Sequence, residues 1–252
     1  MAKIVGRNSA LEEEFTQCSN LSQLGLGVSV VAVVLFVLNV GFQFMAFEAA
    51  VILLLFIAGG SFVRQHYAEK AAMLAAGLTG EASTAGIISS LPDTYCGFQN
   101  IQVSYEGKTS ELDMVVTGPT GVFIIETKNM NGTIVGNYDA QYWTQRKIGR
   151  NGTPYSGQLY SPVKQVKTHV YRLANYLRKE NINVFVNAMV YFSNPDSVVQ
   201  MIGFSAGTPV FSALGNGSEE ICHQILCSDQ KLSLEVLAKV NTLLEALAAK
   251  ES

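Results

Sequence analysis

Asp113, Glu126 and Lys128 are the residues of this chain whose types and spacing point most directly to chemistry. They flank Gly118-Pro119-Thr120-Gly121, a turn signature between two runs that alternate like strands, 111–117 and 122–128. If the loop is even in length, two residues or four, paired positions sum to 239, so Asp113 falls opposite Glu126 and Glu111 opposite Lys128. Period two then sets Asp113, Glu126 and Lys128 on one face and Leu112, Met114, Val116, Phe123 and Ile125 on the other. A three-residue loop with Gly121 in a bulge would instead separate the two carboxylates. Two carboxylates about 5 Å apart repel by roughly 3 kcal/mol at an effective dielectric of 20, and like charges directly opposite on a sheet are destabilising. A cation removes that cost, and hard oxygen ligands so placed suit Mg²⁺ or Mn²⁺. Lys128 beside them would hold an attacking water or stabilise developing phosphoryl charge. The competing reading is a solvated strand face with ordinary mixed charges.

The elements that must position these residues follow from periodicity. Residues 67–90 read as an Ala-rich helix, weakened by Gly77 and Gly80 and ended by Leu91-Pro92. Strands are expected at 97–105, 111–117 and 122–128, with 133–135 continuing the third. The polar, Gly-containing stretch 138–162 reads as loop. Residues 161–179 form a helix with Pro162 in its first turn and Val163, Val166, Val170, Leu173 and Leu177 on one stripe. A buried strand at 183–192, a short strand at 210–212 and an amphipathic helix at 233–249 complete the alternation. No internal repeat or low-complexity linker interrupts it.

Only 15% of the 252 residues are charged and the mean hydropathy is +0.23, against roughly 25% charged in an ordinary soluble domain. From 15 to 63 the only charged side chain is Glu48. That excludes a single ordinary soluble globule and a disordered chain. Residues 24–47 are long enough to cross a bilayer as a helix, and 49–63 need a few neighbours to do so. A buried core hairpin is the alternative. A signal peptide is disfavoured because Glu12, Glu13 and Glu14 separate Lys3 and Arg7 from the apolar run. Lys3 and Arg7 before the first span, Arg64 and Lys70 after the second, and no Lys or Arg between them orient a two-span hairpin with both ends in the cytoplasm. Cys18, Cys96, Cys222 and Cys227 lack zinc spacing and read as free thiols in a reducing compartment. The expected division is an N-terminal cytoplasmic segment 1–22, a transmembrane anchor 23–66 and a soluble domain 67–252.

Between 141 and 179 eight basic residues occur with no acid: Arg146, Lys147, Arg150, Lys164, Lys167, Arg172, Arg178 and Lys179. Tyr142, Trp143, Tyr155, Tyr160 and Tyr171 are interleaved among them. Basic groups bind phosphates and aromatic rings stack on unpaired bases. Anionic lipid headgroups would attract the same charges; nucleic acid is favoured because the basic helix begins at Ser161-Pro162, beside Gln165, a residue that a family resemblance implies for the site. His169 lies four residues beyond Gln165 on the same helix face, as a neighbour of the site or as hydrogen-bonded structure. No Ser/His/Asp nucleophile stands out, and the glycines at 203 and 207 lack the lysine of a phosphate-binding loop.

Gly80-Glu81, Ser110-Glu111-Leu112-Asp113, Gly118 through Lys128, Gly132, Tyr142-Trp143, Ser161-Pro162, Gln165 and His169 together resemble the NERD, or nuclease-related, domain. That family is assigned to the PD-(D/E)XK superfamily of metal-dependent nucleases. The resemblance implies a restriction-endonuclease-like α-β-β-β-α-β core of the α/β class. It further implies Asp113 and Glu126 as metal ligands for Mg²⁺ or Mn²⁺, Lys128 as the catalytic lysine, Glu81 as an additional acidic ligand and Gln165 as the polar residue of the following helix. Leu112 stands where the superfamily motif has proline. Arg146, Lys147, Arg150, Trp143, Lys164, Lys167 and Arg172 are the expected substrate contacts. The reading is a membrane-anchored, cytoplasm-facing nuclease that hydrolyses DNA. Its rival is a non-catalytic module, docked at the membrane, that binds nucleic acid or a partner through a vestigial site.

Overall fold

In the computed structural model, residues 1–42, 46–149, 152–205 and 207–249 are described. The elements run β1 (Lys3–Val5), α1 (Ser9–Phe42), α2 (Phe47–Ser89), β2 (Cys96–Tyr105), β3 (Lys108–Gly118), β4 (Gly121–Lys128), β5 (Gly132–Asn137), β6 (Tyr142–Ile148) and β7 (Pro154–Tyr160). After them come α3 (Pro162–Lys179), β8 (Val186–Phe192), β9 (Ser197–Ile202), β10 (Val210–Ser212), α4 (Gly217–Leu226) and α5 (Leu234–Ala248). They form two compact units, Ser9–Leu78 and Met1–Asn8 with Thr79–Ser252.

The first unit is a pair of helices, each long and apolar enough to cross a membrane. Leu24, Val31, Val37, Leu55, Phe56 and Phe62 point outward from it. Between the helices, Ser22 Oγ donates to Arg64 O and Ser29 Oγ to Ile57 O, each at 3.2 Å. A Lys70–Glu14 ion pair at 2.7 Å closes the polar end. The helix expected to start at 67 is the second half of α2, which runs through Gly77 and Gly80 without a break.

The second unit is mixed α/β. Its main sheet has the order β1-β2-β3-β4-β8-β10, with β2, β3 and β4 an antiparallel meander and β8 returning parallel to β4. Both faces are covered. On one, Phe98, Leu112, Val115 and Ile124 pack with Val163, Val166, Leu173 and Leu177 of α3 and with Val240 and Leu244 of α5. On the other, Met114, Val116, Phe123 and Ile125 meet Ile88 from the end of α2 and Ile221 and Ile225 of α4.

Three sequence expectations are corrected here. Residues 133–135 do not continue β4, and 138–162 is not a loop: β5, β6 and β7 form a second sheet with β9, in the order β7-β6-β5-β9. The strands β6 and β7 carry Thr144, Gln145, Gly157 and Gln158, and β7 is exposed along nearly its whole length. A strand wet on both faces has no apolar alternation to announce it. Leu112 also does not join Met114 and Val116. It packs with Val115 on the opposite side of the sheet, because the β2–β3 ladder steps from Gln99↔Met114 to Ile101↔Leu112 and skips Asn100 and Asp113. Asn100 has φ +52, a left-handed conformation that asparagine adopts more readily than most residues. The in–out alternation slips by one residue there.

Candidate functional site

The turn between β3 and β4 is the two-residue loop Pro119-Thr120, and Gly118↔Gly121 through Met114↔Ile125 pair with positions summing to 239. Ladder pairing stops at Met114↔Ile125. Beyond it the two strands separate, and Asp113 and Glu126 stand at the mouth of the opening. The expected opposition of Glu111 and Lys128 does not occur: Lys128 pairs with Phe192 of β8, while Glu111 is exposed and accepts a hydrogen bond from Asn8 at 3.3 Å.

Asp113 is half-buried and its Oδ2 accepts the Thr127 backbone N–H at 2.8 Å. Glu126 is fully buried. Its Oε1 accepts from Lys128 Nζ at 2.6 Å, and its Oε2 lies 3.2 Å from His169 Nδ1 on α3. That second approach lacks the alignment of a full hydrogen bond, and among the described residues neither atom has another hydrogen-bond partner. Burial pushes the Asp113 carboxyl well above the usual carboxylate range, and the Glu126 and Glu81 charges add to the push, against Lys128 and the Thr127 N–H. Burial pushes Glu126 upward as well, but His169 and Lys128 outweigh it and hold this carboxylate below its ordinary range. One proton-hungry and one proton-poor carboxyl therefore share the opening.

Glu81 lies on the last turns of α2, and its charge bears on Asp113, but among the described residues no three of His, Cys, Asp and Glu come together as a ready-made metal-binding group. A Cβ on Gly80 would lie 2.9 Å from Asn129 Cβ and 3.0 Å from Ser193 Oγ, so only glycine lets the helix settle this close to the end of β4. Thr84 Oγ1 and Thr127 Oγ1, 2.8 Å apart, fasten the same contact. Glu81 Oε2 accepts from Asn100 Nδ2 at 2.8 Å. Asn100 was not anticipated, although the spacing Phe98, Ile101, Val103 already carries the slipped alternation. Gln165 is half-buried one helical turn before His169.

The expected substrate contacts divide. Lys164 and Lys167 lie in the first turns of α3, and Arg146 and Lys147 on β6; among the described residues none of the four forms an ion pair. The Ser161 N–H donates to Gln141 O at 2.9 Å and ties the start of α3 to the start of β6. Arg172 is half-buried and donates to Ser110 Oγ on β3, so it braces the sheet. Arg150 lies outside the described residues. Trp143 is a correction: it is 1% exposed, stacks on Phe192 at 6.2 Å and donates Nε1–H to Asn137 O at 3.0 Å. Such a ring is unavailable to a base. Trp143→Phe should cost about 1–2 kcal/mol through the lost hydrogen bond and volume, seen in thermal melting, while nucleic-acid affinity stays at the wild-type value.

A mixed α/β domain with two carboxylates and a lysine at a splayed hairpin is thus the class that fold and site define. Residues 76–193 match the NERD family profile, described as nuclease-related domain, and that stretch is a NERD domain. Over 93 residues the chain is 36% identical to an uncharacterized protein of Bacillus anthracis, an overlap covering 36% of this chain and 43% of that one. The chain therefore spans less than half the length of that relative. No solved structure matches the chain.

Proposed function

We propose that this protein is a divalent-metal-dependent nuclease that hydrolyses DNA phosphodiester bonds, anchored in the cell membrane by α1 and α2 with both termini and the nuclease-like domain on the cytoplasmic side. The observation that carries the reading is the convergence of Asp113, Glu126 and Lys128 at one opening, with a fully buried Glu126 oxygen that lacks a well-formed hydrogen bond. The helix-strand-strand-strand-helix-strand order of α2, β2, β3, β4, α3 and β8 supports a restriction-endonuclease-like core, with β5, β6 and β7 inserted before α3. The outward Val, Leu and Phe side chains of the helical pair support the anchor.

The donor set fits a hard cation. Asp113 and Glu126 would hold Mg²⁺ or Mn²⁺ with Glu81 as a third carboxylate, and the bound ion would supply positive charge against the scissile phosphate and lower the pKa of water there. Lys128, partly exposed, neutralises Glu126 and presents an ammonium to the opening, where it orients water and offsets charge developing on phosphorus oxygens. Thr127 holds Asp113 through its backbone N–H. Gln165 lines the approach along α3. Lys164, Lys167, Arg146 and Lys147 draw the polyanion, and the exposed Tyr142, Tyr155 and Tyr160 offer stacking faces.

The test is a cleavage panel: full-length protein in detergent micelles, given single- and double-stranded DNA and RNA, with Mg²⁺ or Mn²⁺ and with chelator. DNA should be cut only with metal. Failure to cut any form under any of these conditions sinks the reading and leaves the binding-only module in its place.

A further inference from the structure

The first eight residues precede the apolar helices and lie outside the matched NERD stretch, yet they fold with the sheet. β1 pairs in parallel with β2 through Lys3↔Cys96, Ile4↔Gly97 and Val5↔Phe98. The Ala2 N–H donates to Leu91 O at 2.8 Å, and Lys3 Nζ meets Glu245 at 2.9 Å. At Gly6 the chain turns with φ +84, and a Cβ there would strike Gln99 O at 2.7 Å. This brings the next residues alongside Asn100, the kinked position that the ladder skips together with Asp113.

Asn8 is what the turn delivers. Its Nδ2 lies 3.2 Å from Glu81 Oε1, 3.1 Å from Asn100 Oδ1 and 3.3 Å from Glu111 Oε1. Asn100 in turn donates to the other Glu81 oxygen. The Glu81 carboxylate is therefore gripped on both oxygens by amides, one from β2 and one from the N-terminal strand. Neutral amides suit this task, since a cation in either place would draw Glu81 away from Asp113 and a carboxylate would repel it.

We propose that residues 1–8 form a strap that completes the site, with Asn8 as a positioning residue that sets Glu81 beside Asp113 for divalent-cation binding. This rests on the metal-dependent reading above and adds a dependence of the site on chain from the far side of the apolar hairpin. The two helices are then an insertion between strap and domain, and a fragment that starts after them keeps Glu81 but loses Asn8, the amide that holds one of its oxygens.

Mn²⁺ titration calorimetry on the full-length protein in micelles tests it, with N8A, E81A, the double variant and D113A. N8A and E81A should each weaken Mn²⁺ about tenfold, in the range for partners that orient metal ligands, and the double variant should be no weaker than E81A. Hydrogen exchange supplies a second readout: Mn²⁺ should slow the Ile4 and Val5 amides in the wild type and not in E81A. N8D, nearly isosteric but without the donor, should weaken Mn²⁺ at least as much as N8A. Wild-type affinity in N8A, or additive losses in the double variant, overturns the strap alone. If N8A and N8D both fail to fold, unchanged exchange of Ile4 and Val5 on Mn²⁺ binding overturns it. Absence of D113A-sensitive Mn²⁺ binding by the wild type overturns both the strap and the metal-dependent reading.

Discussion

Lys128→Ala should lower DNA cleavage by about a hundredfold to a thousandfold, the range for loss of one donor to developing charge, and should also destabilise the metal-free protein at neutral pH. Glu126 is fully buried, and Lys128 at 2.6 Å is one of two groups that hold its carboxylate ionised. Removing that partner strands a buried charge, which costs about 3 kcal/mol at pH 7. The pH dependence has a definite sign. The Glu126 pKa is depressed in the folded protein, so its stabilisation is present above the unfolded carboxylate value of about 4.3 and is lost as pH falls through the folded value. The gap between wild type and K128A should therefore close as the buffer is taken from pH 7 toward pH 4. Thermal melts across that range, without metal, check it. A K128A protein as stable as wild type at pH 7 would mean that the Lys128–Glu126 pair carries no net energy. Lys128→Met, which restores the apolar stem, should recover part of the packing but none of the cleavage.

Asp113→Asn is expected to abolish cleavage and to raise stability, the opposite pairing of effects. Asp113 is half-buried, and desolvation together with the neighbouring Glu126 and Glu81 charges sets its folded pKa well above the usual range. A carboxyl of raised pKa gives full stabilisation below the unfolded value of about 3.9 and loses it as pH rises through the folded value. The metal-free wild type thus carries a penalty at neutral pH that asparagine does not, while the asparagine oxygen can still accept the Thr127 N–H. A gain of about 1–2 kcal/mol corresponds to roughly 2–8 °C in apparent Tm for a chain of this size. The gain should vanish below pH 4. Added Mn²⁺ should reverse the order, stabilising the wild type by mass action and leaving D113N unmoved. If D113N melts below wild type without metal at pH 7, like-charge crowding at the opening is not a source of strain. Sites built for a cation commonly carry such a cost in its absence.

The parts of the site legible in the sequence are those set by short-range periodicity. The Gly-Pro-Thr-Gly turn and its flanking runs specified the β3–β4 register down to the sum of paired positions. The stripe on α3 named the buried Val163, Val166, Leu173 and Leu177. Ser161 and Ser233 each cap a helix at the expected start. The second sheet is hard to read because β7 is exposed along nearly its whole length and carries no apolar alternation. Trp143 was read as a stacking platform because basic residues surround it in sequence, whereas its strand turns it inward and the neighbouring Tyr142 and Tyr160 outward. His169 stood as either neighbour or scaffold until its approach to Glu126 was known.

The amino-acid sequence by itself determined which residue types can bind a cation, which hairpin holds two of them, and which 49 residues shun water with a single charge among them. Those properties are local: a turn, a period and a run of side chains are complete within a few positions of the chain. Tertiary structure alone decided that Glu126 is buried against both Lys128 and His169, that the hairpin splays beyond Met114 and Ile125, and that Asn8 and Asn100 grip Glu81. Asn8 is separated from Glu81 by 73 positions and from Asn100 by 92. No periodic pattern spans such a distance. The contact exists because the N-terminal strand finds an open edge on β2, and that edge exists only once the sheet has formed.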